Sequence, residues 1–303
     1  MKQLFLGIDI GGTAVKLGIC DAAGEISGRA SIPTDVAASS TGMLDRIAEA
    51  ARELATNVGA VTAAGVGIPG PLDPGRRALQ RANHLPNWTN VAIPALLQER
   101  LAIPVVLEND ANCATWAEAK IGAGRGANSV VLFTLGTGVG GGIVINGDLW
   151  SGAGGAAGAF GHLVVDPAGP LCLCGQHGCL EQYASATSVA RRFGAGSAID
   201  AFSAARRGEA GAVAAVGAAA GALATAIAGV VHTLQPEVVV LGGGMAAAGD
   251  ALLLPVREGV GRRVRAAWLE RTRIVLGSLG TDAGWIGAAL WAAASTRSAG
   301  VAP

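Results

Sequence analysis

Two segments of this chain, separated by about 126 residues, share one layout, and that layout restricts the fold more than any other feature. L-F-L-G-I-D-I is an apolar run of strand length. G-G-T follows, then A-V-K-L-G-I-C as a second strand and a turn at D-A-A-G. Later, S-V-V-L-F-T-L, G-T-G-V-G-G-G and I-V-I-N-G-D-L repeat the pattern, with a turn at Asn146-Gly147. Glycine at such turns permits positive φ and presents backbone N–H groups to an anion. Two such hairpins facing each other suit a polyphosphate held from both sides, although either alone says little. Neither continues into G-K-[ST], so neither is a P-loop. Each opens a hairpin rather than a helix, a poor fit to the dinucleotide fingerprint.

Three of the five cysteines fall within eight residues, in C-L-C-G-Q-H-G-C-L-E, with His162 just upstream. His162, Cys172, Cys174 and Cys179 make a closed tetrahedral zinc set. Gly175 and Gly178 let the chain fold back so that Cys179 joins the tight Cys172-x-Cys174 pair. Such a knuckle would hold rigid a loop carrying His177 and Glu181, both candidate ligand contacts. The plainer alternative is a cluster of buried thiols.

Three further loops carry polar or glycine-rich signals. G-V-G-I-P-G-P-L-D (Gly65 to Asp73) follows a strand. E-N-D-A-N-C-A (Glu108 to Ala114) lies between an apolar strand and an Ala-rich helix. There Asn109 or Asp110 is either a helix N-cap, or Asp110, with a hydrogen-bonding Asn beside it, suits a general base aimed at a hydroxyl. Gly242 to Gly244 follow V-V-V-L and precede an Ala-rich helix. That cluster suits either a nucleotide base or ribose, or close helix–strand packing.

Composition sets limits. The 303 residues, 51% hydrophobic with 47 glycines, suffice for one large or two medium domains with many close backbone approaches. Acidic and basic residues balance at 22 each, so no basic field points to nucleic acid. Asp9 interrupts the apolar N-terminal run, which does not read as a signal peptide. The isolated Cys20 and Cys113 suit a reducing compartment, so a cytoplasmic location is expected. Ala210 to Pro236 contains no Asp, Glu, Lys or Arg and has the length of a bilayer span. Its Ala and Gly content, with Thr225, His232 and Thr233 inside, favours a buried helix from Ala212 to Leu234 feeding a short strand at Val238 to Leu241. No membrane association is expected.

Together these motifs resemble one family, the ROK kinases (repressor, open reading frame, kinase), relatives of bacterial glucokinases within the actin-like ATPase superfamily. The matching residues are D-I-G-G-T at Asp9 to Thr13, G-I-P-G-P at Gly67 to Pro71 and E-N-D-A-N at Glu108 to Asn112. They continue with L-G-T-G-V-G-G-G at Leu135 to Gly142, G-H at Gly161-His162, C-x-C-G-x-x-G-C-x-E at Cys172 to Glu181, and L-G-G-G at Leu241 to Gly244. Order and spacing agree along nearly the whole chain.

The resemblance implies a two-domain α/β architecture, the actin-like ATPase (ribonuclease H-like) fold with an interdomain cleft. The smaller domain would comprise residues 1–112 and 282–303, the latter carrying a final helix from Asp282 to Ala294. The larger, residues 113–281, would hold the zinc knuckle. The implied reaction is ATP-dependent phosphorylation of a hexose at its 6-hydroxyl. Asp9 would hold Mg²⁺ near the phosphates. Gly11, Gly12, Thr13 and Lys16 would form the first phosphate site, Thr137 and Gly138 the second, and Gly243 would lie near adenosine. Asp110 would be the base. Gly70, Asn109, His162 and Glu181 would line the sugar, with Asn83 or its neighbours His84 and Asn87. His162 would place one ring nitrogen on structural Zn²⁺ and the other toward a sugar hydroxyl. Polyphosphate is an alternative donor. A homodimer is implied. The family's repressors carry an N-terminal helix-turn-helix; here Asp9 stands near the beginning and net charge is zero, so a kinase is expected instead.

One residue departs from the family pattern. The usual G-E-x-G-H is here Gly158, Ala159, Phe160, Gly161, His162. The missing Glu normally accepts hydrogen bonds from hydroxyls on the C1–C2 side of the sugar. A charged acceptor is worth roughly 1.5–3 kcal/mol, or about 10–150-fold in affinity. Ala159 therefore signals a sugar with a bulkier 2-substituent such as an N-acyl group, a common hexose bound more weakly, a decayed or altered site, or a sugar-binding protein without catalysis.

Overall fold

The computed structural model describes residues 2–82, 85–194 and 196–298. Strands β1 (Leu4–Ile10), β2 (Ala14–Asp21) and β3 (Ile26–Pro33) lead into helix α1 (Ser40–Val58). Then come β4 (Val61–Ile68), β5 (Leu79–Ala82), β6 (Leu85–Val91), α2 (Ile93–Leu101), β7 (Val105–Asn109) and α3 (Asp110–Lys120). The second half begins with β8 (Val130–Leu135), β9 (Val139–Ile145) and β10 (Asp148–Leu149). Helices α4 (Glu181–Ala184), α5 (Ala186–Phe193), α6 (Ala198–Arg206) and α7 (Ala210–Leu234) follow. The chain ends with β11 (Val238–Gly242), α8 (Asp250–Gly261), α9 (Ala266–Leu269), β12 (Arg273–Leu276) and α10 (Ala283–Ser298).

These elements form two compact units. One comprises Met1–Ile121, Ser151–Ala157 and Asp282–Pro303; the other comprises Gly122–Trp150 and Gly158–Thr281. Residue 112, where the sequence reading drew its boundary, lies inside α3. That helix stays whole in the first unit because it packs along α10, with Trp116 and Trp291 edge to face at 5.3 Å. Each unit has a five-stranded sheet, β3-β2-β1-β4-β7 in the first and β10-β9-β8-β11-β12 in the second. In both, an antiparallel meander of three strands adjoins two parallel strands. The repeat legible in the sequence is thus a repeat of topology.

In the first unit, side-chain alternation sorts β1 into two faces. Leu6, Ile8 and Ile10 point into a core with Met43, Leu44, Ile47, Ala51 and Leu54 of α1, an i, i+4 stripe. Ser39 caps that helix by accepting the Gly42 N–H at 3.1 Å. The other face is a groove. Gly7 pairs with Gly18 on one side and Gly65 on the other, and α10 lies on all three. A Cβ at Gly7 or Gly65 would overlap the carbonyl of Trp285 or Ala288, and one at Gly18 would enter the Trp285 ring. Glycine in these strands is therefore a packing requirement.

In the second unit, Val130, Val131, Leu132 and Phe133 of β8 and the whole of β11 are buried. Helix α7 has the length and composition to cross a membrane; here Ala215, Ala219, Leu223, Ile227 and Val231 are buried, and the helix packs on α6 and α8. It begins two residues before the expected Ala212. A 3-10 turn, Gly244–Ala248, separates Gly243 from α8, and another, Gly280–Asp282, precedes α10, which starts at Ala283 rather than Asp282.

Candidate active site and metal centre

In the first unit the parallel strands β1, β4 and β7 end along one edge, and the expected residues gather there. Register aligns Asp9 with Gly67 and Gly67 with Glu108, so Asp110 follows two residues beyond that row. Lys16 faces Asp9 across the β1–β2 ladder. The turn between these strands holds Gly11, Gly12 and Thr13. It is braced from the end of β3 by Thr34, whose hydroxyl donates to the Gly11 carbonyl at 2.7 Å and whose N–H donates to the Thr13 carbonyl at 3.0 Å. Gly12 and Thr13 are exposed.

Asn109 is the N-cap of α3. Its Oδ1 accepts from the N–H groups of Ala111 at 3.0 Å and Asn112 at 3.2 Å. This settles which of the two neighbours caps the helix and leaves Asp110 at its first position, where a carboxylate is favoured by the helix dipole. Burial pushes the Asp110 carboxyl up, opposed by hydrogen bonds from the Ala111 and Asp110 amides and from Asn109. Burial, reinforced by the Asp110 charge and opposed by Lys16, lifts Asp9 to about 7. Two neighbouring carboxyls that resist joint ionisation fit a hard divalent cation such as Mg²⁺, which takes oxygen ligands. Asp9 also lies against α10, where a Cβ on Gly284 would overlap its carboxylate.

Gly70 sits at φ +114°, and a Cβ there would overlap the Arg81 carbonyl. Asn83 and His84 lie outside the described residues. Asn87 is engaged elsewhere, its Nδ2 donating to the carbonyls of Ala37 at 3.2 Å and Ala38 at 3.3 Å.

In the second unit, Thr137, Gly138, Glu181 and Gly243 gather at the end of β8, and Gly161, the neighbour of His162, packs on Val139. Glu181, first residue of α4, accepts the Val139 N–H through Oε2 at 2.9 Å. A Cβ on Gly138 would stand 2.5 Å from that oxygen. Ala186 N–H donates to the Gly136 carbonyl at 2.7 Å and Thr187 Oγ1 to the Thr137 carbonyl at 2.9 Å, so α5 also steadies this turn. Gly243, at φ +80°, approaches Leu135 so closely that a Cβ would lie 2.6 Å from its backbone N. Phe160 stacks on Phe133 with centroids 4.6 Å apart and occupies the space over Gly141.

The reason expected for the hairpin glycines needs correction. Gly11, Gly12, Gly136, Gly138 and Gly140 to Gly142 do not adopt positive φ. At Gly138 and Gly141 a side chain is excluded by what packs there, Glu181 and Phe160.

The donor atoms of His162, Cys172, Cys174 and Cys179 all lie within 4.8 Å of one another. Cys174 and Cys179 sulfurs are 3.5 Å apart, and Cys172 Sγ is 3.8 Å from His162 Nδ1. A tetrahedron with zinc–sulfur bonds of about 2.3 Å has edges of roughly 3.8 Å, so the set fits such an ion. Gly175 and Gly178, at φ +89° and +68°, make the expected fold-back. Burial, followed by the neighbouring Cys174 and Cys172 thiols, pushes Cys179 up to about 12, so a bound cation would be needed to hold it as thiolate. His177 is turned to its own loop, Nδ1 lying 3.0 Å from the Gly169 carbonyl. Ala159 is exposed and begins the 3-10 turn Phe160–His162 without a side-chain hydrogen bond.

Thr34, Arg76, Ser151 and Gly284 were not singled out by sequence reasoning. Their partners are long-range, and only Arg76, beside the D-P-G turn that ends the Gly65 to Asp73 loop, sits near a readable motif.

The model of the ROK family matches residues 5–295. A glucokinase of Thermotoga maritima is 37% identical, with 95% of this chain and 96% of that protein covered. An N-acetylmannosamine kinase of Escherichia coli is 31% identical over 95% of this chain and 97% of its own. Among solved structures, a ROK family glucokinase from Streptomyces griseus, in complex with glucose and AMPPNP, superposes with a TM-score of 0.86 at 32% identity, covering 96% of this chain and 99% of that one. This chain belongs to the ROK family, carries its actin-like ATPase fold, and is a sugar kinase.

Proposed function

We propose that this kinase transfers the γ-phosphoryl group of ATP to the 6-hydroxyl of a glucose-like hexose, with Asp110 as general base. The observation that carries the reading is the placement of Asp110 at the first turn of α3, close enough to Asp9 to raise its pKa and on the same strand edge as the first glycine turn. Asp110 takes the hydroxyl proton as the sugar oxygen attacks phosphorus and the bond to ADP breaks. A carboxyl held above its ordinary range by burial is better matched to that task near neutral pH than an exposed one. Asn109 fixes the helix start that aims it. Asp9 would hold Mg²⁺, with Lys16 across the ladder on the phosphate side. When bound, Mg²⁺ neutralises charge developing on the phosphates. Gly11 to Thr13, Thr137 and Gly138 would meet phosphate oxygens, and Gly243 the nucleoside. Gly70, Asn109, His162 and Glu181 would hold the sugar. Zn²⁺ in the four-donor set would brace His162 and do no chemistry.

A kinase for a 2-substituted sugar such as an N-acylhexosamine is the second reading. Ala159 favours it, since no carboxylate there would oppose a bulkier 2-substituent. A coupled assay with ATP across aldohexoses and N-acylhexosamines tests both. Turnover of glucose with little of the N-acyl sugars supports the first; the opposite ranking supports the second. No turnover with any of them would refute the whole reading. Cytoplasmic location and a homodimer complete the proposal; the latter is checked by light scattering on the purified chain.

A further inference from the structure

Arg76 lies in the loop after β4, at φ +53°, a backbone geometry that favours Gly or Asn. The Asp73 carboxylate forms this turn by accepting the N–H groups of Gly75, Arg77 and Ala78. The turn needs no arginine, so the side chain must repay the strained backbone. Among the described residues its guanidinium has three partners. Nε stands 2.8 Å from Glu108 Oε2, an ion pair without hydrogen-bond alignment. Nη2 donates to Ser151 Oγ at 2.9 Å. Cζ lies 5.3 Å from the centroid of the Trp291 ring, which itself meets Trp116 of α3.

Glu108 is 2% exposed and immediately precedes the cap of α3. Its other oxygen, Oε1, accepts the Asn109 N–H and the Asn112 side-chain amide, each at 2.9 Å. The carboxylate thus grips the backbone on one side of Asp110 and a side chain on the other. A buried carboxylate is tolerated only with a counter-charge, and among the described residues Arg76 supplies it.

We propose that Arg76 is a positioning residue: through Glu108 it holds the Asn109–Asn112 turn so that Asp110 keeps its aim, without touching sugar or nucleotide. The inference rests on Asp110 being the base. Its test separates the two ideas by reading backbone protection as well as rate.

Amide hydrogen exchange at Ala111 and Asn112, with kcat and KM for sugar and ATP, is measured for the full chain and for Arg76→Met, Arg76→Lys and Arg76→Met with Glu108→Gln. Arg76→Met is expected to speed exchange at these amides about tenfold or more. It should lower kcat about 10–100-fold, as expected for a small misplacement of a reacting group, with KM for ATP nearly unchanged. Arg76→Lys keeps the charge and should fall between; adding Glu108→Gln should restore part of both protection and rate. If Arg76→Met does not fold, Arg76→Lys carries the same comparison. Unchanged exchange and kcat, or a lower Tm with wild-type kcat at temperatures where the variant is folded, would overturn the proposal. If the wild-type chain phosphorylates no sugar, the kinase reading fails and exchange alone decides the role of Arg76.

Discussion

The Glu181 carboxylate accepts the backbone N–H of Val139 at 2.9 Å, across 42 residues of sequence. One residue therefore joins the loop of the metal donors to the second glycine turn. The bond uses Oε2 and leaves Oε1 for the hydroxyl contact proposed here. Glu181→Ala should raise KM for both sugar and ATP, by about 10–150-fold for the sugar if a charged bond worth 1.5–3 kcal/mol is lost. Glu181→Gln keeps an acceptor for Val139 and should affect sugar more than ATP. Steady-state kinetics of the two variants decides this.

Asp9 makes stability depend on pH. Its folded pKa, about 7, lies above its ordinary value of 3.8. The protonated form is the one the fold favours, so its contribution is complete below 3.8 and is lost as pH rises through about 7. Without Mg²⁺, Asp9→Asn should raise Tm at pH 8 and have little effect at pH 4, while kinase activity collapses. The shift should be a few degrees, at about 2–4 °C per kcal/mol for units of this size. Added Mg²⁺ should stabilise the wild type at pH 8 more than the variant. Calorimetry at the two pH values provides the check.

The glycine groove under α10 predicts an effect far from any ligand. Gly65→Ala would place a methyl group on the Ala288 carbonyl, a backbone overlap that no side-chain rotation relieves. Overpacking of this kind typically costs about 1–3 kcal/mol and sometimes more. Denaturant unfolding should show a loss at the upper end of that range. Gly261→Ala, where a Cβ meets nothing within 4 Å and which lies at the end of a helix, is the matched control.

The donor cluster predicts about one equivalent of zinc per chain by elemental analysis. Cys174→Ser should lower that content. It should raise KM for sugar more than for ATP, because His162 would lose its brace while the glycine turns remain. Stripping the metal with a chelator should reproduce the pattern, and zinc should reverse it.

The amount of this structure legible in the sequence varies by element. Leu4–Ile10 ends where its apolar run ends, because strand length and burial act locally. The topological repeat was readable for the same reason. The role of the turn glycines was not, since it depends on Phe160 and Glu181 arriving from distant positions. Asn109 and Asp110 were equivalent cap candidates in sequence; only the hydrogen bonds to Ala111 and Asn112 distinguish them. Arg76 was invisible because an ion pair to a buried carboxylate across 32 residues leaves no periodic trace.

The central claim is that Asp110 is the base of a phosphoryl transfer to a sugar hydroxyl. The most direct measurement is kcat of Asp110→Asn against wild type, on the best sugar of the panel, with Tm recorded for both. A lost general base should reduce kcat by about 10²–10⁴-fold. Tm should not fall, because the buried carboxyl gives up an unfavourable charge. A variant that keeps near-wild-type kcat would contradict the account.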